Sequence, residues 1–206
     1  MSSSRLLQPP AELRNSIYQL CVAQRQTDPV DLRHATPPSK AFLLTCRQIH
    51  EEAQGLYRSA YRNYWRTLRF IIECGHNTHA KLDKTLISRI PTIDLEHIQH
   101  LTITQECGGE DSEHRHVAFS ATLLARTNVW RIDATVTLPM LGSLTNTAHG
   151  IFDYTKKGRK FFRKVEMKGE GTSEQEVGAS KFAMKEQIFC MLRKLDAAAR
   201  PVRGLG

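Results

Sequence analysis

The sequence predicts an α+β fold, with N-terminal helices packed on a mostly antiparallel sheet and a C-terminal helix closing it. Three observations carry that prediction. Residues 43–64 place Ile49, Ala53, Leu56, Tyr57 and Ala60 at helical spacing on one apolar stripe. Further on, residues 98–104 and 129–138 alternate side chains with the period of two that a strand imposes. The helical period returns towards the end of the chain, at Val177, Met184, Ile188, Met191, Leu192 and Leu195.

In chain order, residues 1–5 read as a frayed terminus. Pro9 and Pro10 then open a helix over residues 10–23, because proline at a first helical position loses no hydrogen bond and Glu12 suits the positive end of the dipole. Leu13, Ile17, Leu20 and Cys21 form its apolar stripe. Residues 24–40 carry two proline sites and little periodicity, which reads as a surface loop. Thr45 and Gln48 stand three apart, the spacing of a capping box at the start of the long helix. Arg47, Glu51, Glu52, Arg58 and Arg62 make its other face, which is solvated or meets an acidic partner. Leu13, Ile17, Ile49, Ala53 and Leu56 are expected to share one core.

Residues 67–73 are rich in β-branched and aromatic side chains and predict a strand. Residues 80–90 predict a helix stopped by Pro91. Leu101 and Ile103 are the core-facing residues of the next strand, and residues 107–113 form a polar turn. Residues 116–124 and 129–138 read as a hairpin, with Trp130, Ile132, Ala134, Val136 and Leu138 on one face of the second limb, while SATLLAR at residues 120–126 in the first also reads as a helical turn. Residues 139–150 read as loop and residues 159–168 as a strand with a basic outer side. Thr172 or Ser173 is the expected cap of a final helix ending near Ala199. The chain divides into residues 1–66, a helical unit, and 67–206, an α+β region, or runs as one continuous domain.

With 206 residues, 40% hydrophobic and 24% charged, the chain has an ordinary globular composition and can bury a sizeable core. It holds no run of 18 apolar residues such as a membrane span needs, and its start lacks the apolar core of a signal peptide. Five scattered cysteines read as reduced thiols. Cytoplasm or nucleus is the expected location, with no membrane partner. The net charge of +8 is uneven: residues 156–206 hold 13 basic and six acidic side chains, against three and six in residues 101–155. Such a basic quarter suits nucleic acid or an acidic protein partner.

Two blocks carry a family resemblance. PPAELRNSIYQL at residues 9–20 resembles the LPxELRNxIYxL opening of F-box-like proteins abundant in filamentous fungi, with Pro9 where the pattern has leucine. LLTCRQIHEEAQGLY at residues 43–57 resembles the second block of that family, LLxTCRQIxxEAxxLY. Together they cover about a third of the chain. The resemblance implies a non-enzymatic protein–protein interaction module and a substrate adaptor of a cullin–RING ubiquitin ligase. Pro10, Leu13, Ile17 and Leu20 would then face the ligase's small adaptor subunit.

Other constellations are weaker. Lys156, Lys157, Arg159, Lys160, Arg163 and Lys164 surround Phe161 and Phe162, giving cations for phosphates and rings for stacking. Nucleic-acid binding there is the alternative function, set against a strand with one wet basic face and two core phenylalanines. Cys74, His76 and His79, with Cys107, His114 and His116, match no standard zinc spacing and read as loop residues rather than a metal site. No nucleophile elbow, phosphate loop or dinucleotide fingerprint occurs, so neither an enzyme nor a cofactor is expected.

Overall fold

A computed structural model describes residues 8–23, 29–74, 85–107, 116–124, 129–138, 142–154, 160–165 and 182–203. The elements are α1 (Ala11–Val22), β1 (Val30–Asp31), α2 (Arg47–Thr67), β2 (Arg69–Cys74), α3 (Thr92–Leu95), β3 (His100–Cys107), β4 (His116–Leu124), β5 (Val129–Leu138), β6 (Gly142–Tyr154), β7 (Lys160–Lys164) and α4 (Met184–Arg203). The fold is α+β, as the alternation of the two periods predicts. Among the described residues no helix is long and apolar enough to cross a membrane.

The seven strands lie side by side in chain order. β1, β2 and β3 run parallel, and β3 to β7 form an antiparallel meander. The register puts Ile72 beside Ile103, Ile103 beside Ala121, and Leu123 beside Trp130. Because side chains alternate across a strand, this row of apolar residues shares one face. α4 covers it with Met184, Ile188, Met191, Leu192 and Leu195, all buried. Trp130 donates its indole N–H to Gln187 Oε1 at 3.0 Å, and Gln187 in turn donates to the Phe182 carbonyl at 2.9 Å. A buried polar group therefore keeps its partners inside this core.

The opposite face of the sheet carries a small apolar cluster, with Val129 and Ile151 buried beside Leu124 and Val165, and is polar along the rest of β5 and β6. Thr147 and Arg131 both donate to Asp133, and Thr135 pairs with Thr145 across β5 and β6. A second, smaller core joins Tyr18 and Val22 of α1 to Leu43 and to Ile49, Ala53 and Tyr57 of α2. α2 runs through both cores, since its last turns send Tyr64 and Trp65 into the large one. β1, which precedes residue 66, also pairs with β2 in the sheet.

Several expectations need correction. The capping box at Thr45 does not form: Cys46 is the N-cap, without a side-chain bond. Thr45 instead closes the 3-10 turn Ala41–Leu44 and donates its hydroxyl to Phe42 O at 2.8 Å, while Gln48 reaches forward to Glu52. Residues 29–40 are more than surface loop, because Val30 and Leu32 are buried and β1 adds to the sheet edge. Residues 142–150, read as loop, belong to β6. Its outer half is exposed on both faces, so it shows no apolar alternation. Gly150 lies where β7 comes close, and a Cβ there would overlap the Arg163 carbonyl oxygen. α4 begins at Met184, and the expected caps Thr172 and Ser173 lie outside the described residues. Of the helix expected over residues 80–90, residues 85–88 are helical and 80–84 lie outside them. The shared core of Leu13, Ile17, Ile49, Ala53 and Leu56 is only half right. Ile49 and Ala53 are buried and Leu56 is partly so, but α1 contributes Tyr18 and Val22.

Candidate interaction surface

α1 carries two apolar sides, and the structure buries the less aliphatic one. Tyr18 is fully buried against α2, and its hydroxyl donates to Glu52 Oε2 at 2.9 Å. Arg14, one turn earlier on the same side, grips the Glu52 carboxylate with Nε and Nη2 of its guanidinium, at 2.9 and 2.8 Å. Gln48 adds a third donor at 2.9 Å. Arg14 also donates to the Pro9 carbonyl, which ties down the start of the helix. The result is a bidentate ion pair with two supporting hydrogen bonds, the geometry in which such pairs are strongest. The Arg14 and Gln48 bonds hold the Glu52 carboxyl down at about 2. Burial, followed by the bond to Glu52, pushes the Tyr18 phenol up.

With Tyr18 turned inward, Leu13, Ile17 and Leu20 turn away. At about 100° per residue they fall within a sector of roughly 60°, and Leu20 lies about 160° from Tyr18. Leu13 is 57% exposed and Leu20 75%, with Ile17 half-buried and Pro10 exposed at the N-cap. The four residues that the sequence pattern singled out therefore share an outer row, with the i, i+3, i+7, i+10 spacing of a helix that docks in a groove. The periodicity placed Leu13 and Ile17 in the core, whereas the family resemblance implied a partner-facing row of all four, and neither reading found the clamp that turns α1. Arg14 and Glu52 are 38 residues apart, and no local period links them.

The basic run fares differently. Lys156, Lys157 and Arg159 lie outside the described residues, and Lys160 opens β7. Arg163 leans towards Asp153 of β6 at 3.5 Å, while Lys164 is exposed. Phe162 packs edge-to-face with Phe152 at a centroid distance of 5.4 Å and lies under the Lys194 ammonium at 5.1 Å, so its ring serves the core. Of the residues considered for metal, Cys74 is buried on β2, and Cys107 and His116 lie in β3 and β4. His76, His79 and His114 lie outside the described residues. Among the described residues no three His, Cys, Asp or Glu side chains stand together as a metal site. Comparisons with protein-family models, curated proteins and solved structures gave no match.

Proposed function

We propose that this chain is a protein-docking module that presents Pro10, Leu13, Ile17 and Leu20 of α1 to an apolar groove on a partner. By the resemblance of its two N-terminal blocks to the F-box-like family, the proposed partner is the small adaptor subunit of a cullin–RING ubiquitin ligase. The supporting observation is the exposure of Leu13 and Leu20 on a helix already anchored through its other side. An aliphatic row kept in water by a rigid support is pre-organised for a partner, and burying it releases the favourable transfer energy that intramolecular packing left unused. With Pro9 in the place of a leucine, one anchor fewer is available and the expected affinity is weak.

The test is calorimetric titration of the chain with the purified adaptor subunit, beside the double variant Leu13→Ser/Leu20→Ser. Two buried leucine anchors lost together correspond to a drop in affinity of about a hundredfold. Wild-type binding that the double variant leaves intact, or no binding by the wild type, rejects the proposal.

A further inference from the structure

A second surface lies on the other side of α2, away from α1, and no part of the docking proposal uses it. There α2, the segment from Lys40 to Leu43 and α3 enclose a cleft of about 580 Å³, within the usual range of ligand sites. Its apolar lining comes from Leu43, Tyr57, Tyr61 and Ile93, and Ile93 is left 70% exposed. The two phenol groups are already engaged: Tyr57 donates to the Pro38 carbonyl at 3.2 Å and Tyr61 to Asp94 Oδ2 at 2.6 Å. Among the described residues Asp94 is the one carboxylate lining the cleft, and it is buried and occupied by that bond.

The rim has the opposite character. Lys40, Arg58 and Arg62 are exposed cations in the lining, and His50 is a further donor on the same helix. None of the four has an ion-pair partner among the described residues. His50, Gln54, Arg58 and Arg62 recur every four residues along α2, so the ridge extends over about 18 Å of helix axis. That length matches five or six residues of extended chain at about 3.3 Å each. A single phosphate would meet only one end of it. Nucleic acid would need open rings for stacking, whereas Tyr57 is buried and Tyr61 is half-buried with its hydroxyl held by Asp94.

We infer that this cleft binds an extended acidic peptide segment of a partner protein, with one aliphatic side chain entering between Tyr61 and Ile93. The peptide's carboxylates lie along Lys40, Arg58 and Arg62, where rim charges set the rate and selectivity of encounter. The apolar side chain supplies the anchor, because rim pairs exposed to water contribute little each.

The probe is a fluorescein-labelled peptide of aspartates and glutamates around one leucine, titrated by fluorescence anisotropy against the full chain. Saturable binding that weakens as salt rises is expected, since exposed charges are screened. Arg58→Glu/Arg62→Glu should bind about tenfold more weakly, as two exposed pairs turn from attraction to repulsion, with an unchanged melting temperature. Replacing the peptide's leucine by alanine should cost about fivefold through lost apolar burial. Leu13→Ser/Leu20→Ser should leave peptide binding intact, which separates this site from the α1 surface. The inference is overturned if the acidic peptide shows no saturable binding, or if the charge-reversed variant binds it equally well. A single-stranded oligonucleotide that binds more tightly and loses its affinity in the same variant overturns it as well.

Discussion

α1 and α4 are both amphipathic helices laid against the rest of the chain, and they orient in opposite ways. α4 turns its aliphatic stripe inward, so that Ile188, Met191 and Leu195 are fully or almost fully buried on the sheet. α1 turns Leu13 and Leu20 outward and packs through Tyr18 and Val22. Apolar area alone would favour the reverse orientation for α1. The polar neighbours decide otherwise, because Arg14 and Tyr18 share the inward side and both find Glu52. Turning α1 about its axis would bury its leucines but leave Arg14 and Glu52 without their mutual bonds. A helix with two apolar sides thus buries the one whose polar groups are satisfied by the surface beneath it.

The largest effect should come from the α4 side. Trp130 is fully buried and donates to Gln187, so Trp130→Ala removes both a large apolar volume and a hydrogen bond. A loss of about 3–5 kcal/mol in chemical denaturation is expected. A loss below about 1 kcal/mol would show that the sheet–α4 core does not dominate stability.

The clamp under α1 should act through pH, with a smaller effect. Glu52 titrates at about 2 in the folded chain, below its ordinary 4.5, chiefly because of Arg14 and then Gln48. Its pairing therefore contributes stability that is fully present above about 4.5 and fades as pH falls towards 2. Melting temperatures measured between pH 5 and pH 2.5 should fall further for the wild type than for Glu52→Gln, which cannot titrate. Parallel curves would mean that the pair does not hold α1 in place.

The smallest effect is expected for the outer row itself. Leu13→Ser/Leu20→Ser alters residues that face water, so stability should stay within about 0.5 kcal/mol of the wild type. A larger loss would place these leucines in the core after all and erase the contrast with α4.

Most of the regular structure was legible because its signal is local. The stripe at Ile49, Ala53 and Tyr57 marks α2, the alternation around Leu101 and Ile103 marks β3, and the clean alternation from Trp130 to Leu138 marks β5, while β4 becomes a strand by pairing with β3 and β5. β1 left no such mark. Two residues carry no period, and Val30 becomes a strand residue only because Phe70 offers a free sheet edge beside it. The polar outer half of β6 is likewise a strand because β5 pairs with it, from Leu138 and Gly142 to Trp130 and Gly150. Gly142 closes that hairpin at φ 76°, a conformation that glycine adopts without strain.

The candidate surfaces divide in the same way. The sequence by itself determined that Pro10, Leu13, Ile17 and Leu20 form one row, since spacing along a helix sets which side chains are neighbours. It also determined that Arg58 and Arg62 lie one turn apart on α2. Only the tertiary structure decided that the α1 row faces water, and that Lys40 and Ile93 meet the α2 cations around one cleft. Spacing within an element follows from its own backbone geometry. The side that an element presents to its neighbours depends on contacts between residues far apart in the chain, as the 38 residues separating Arg14 from Glu52 illustrate.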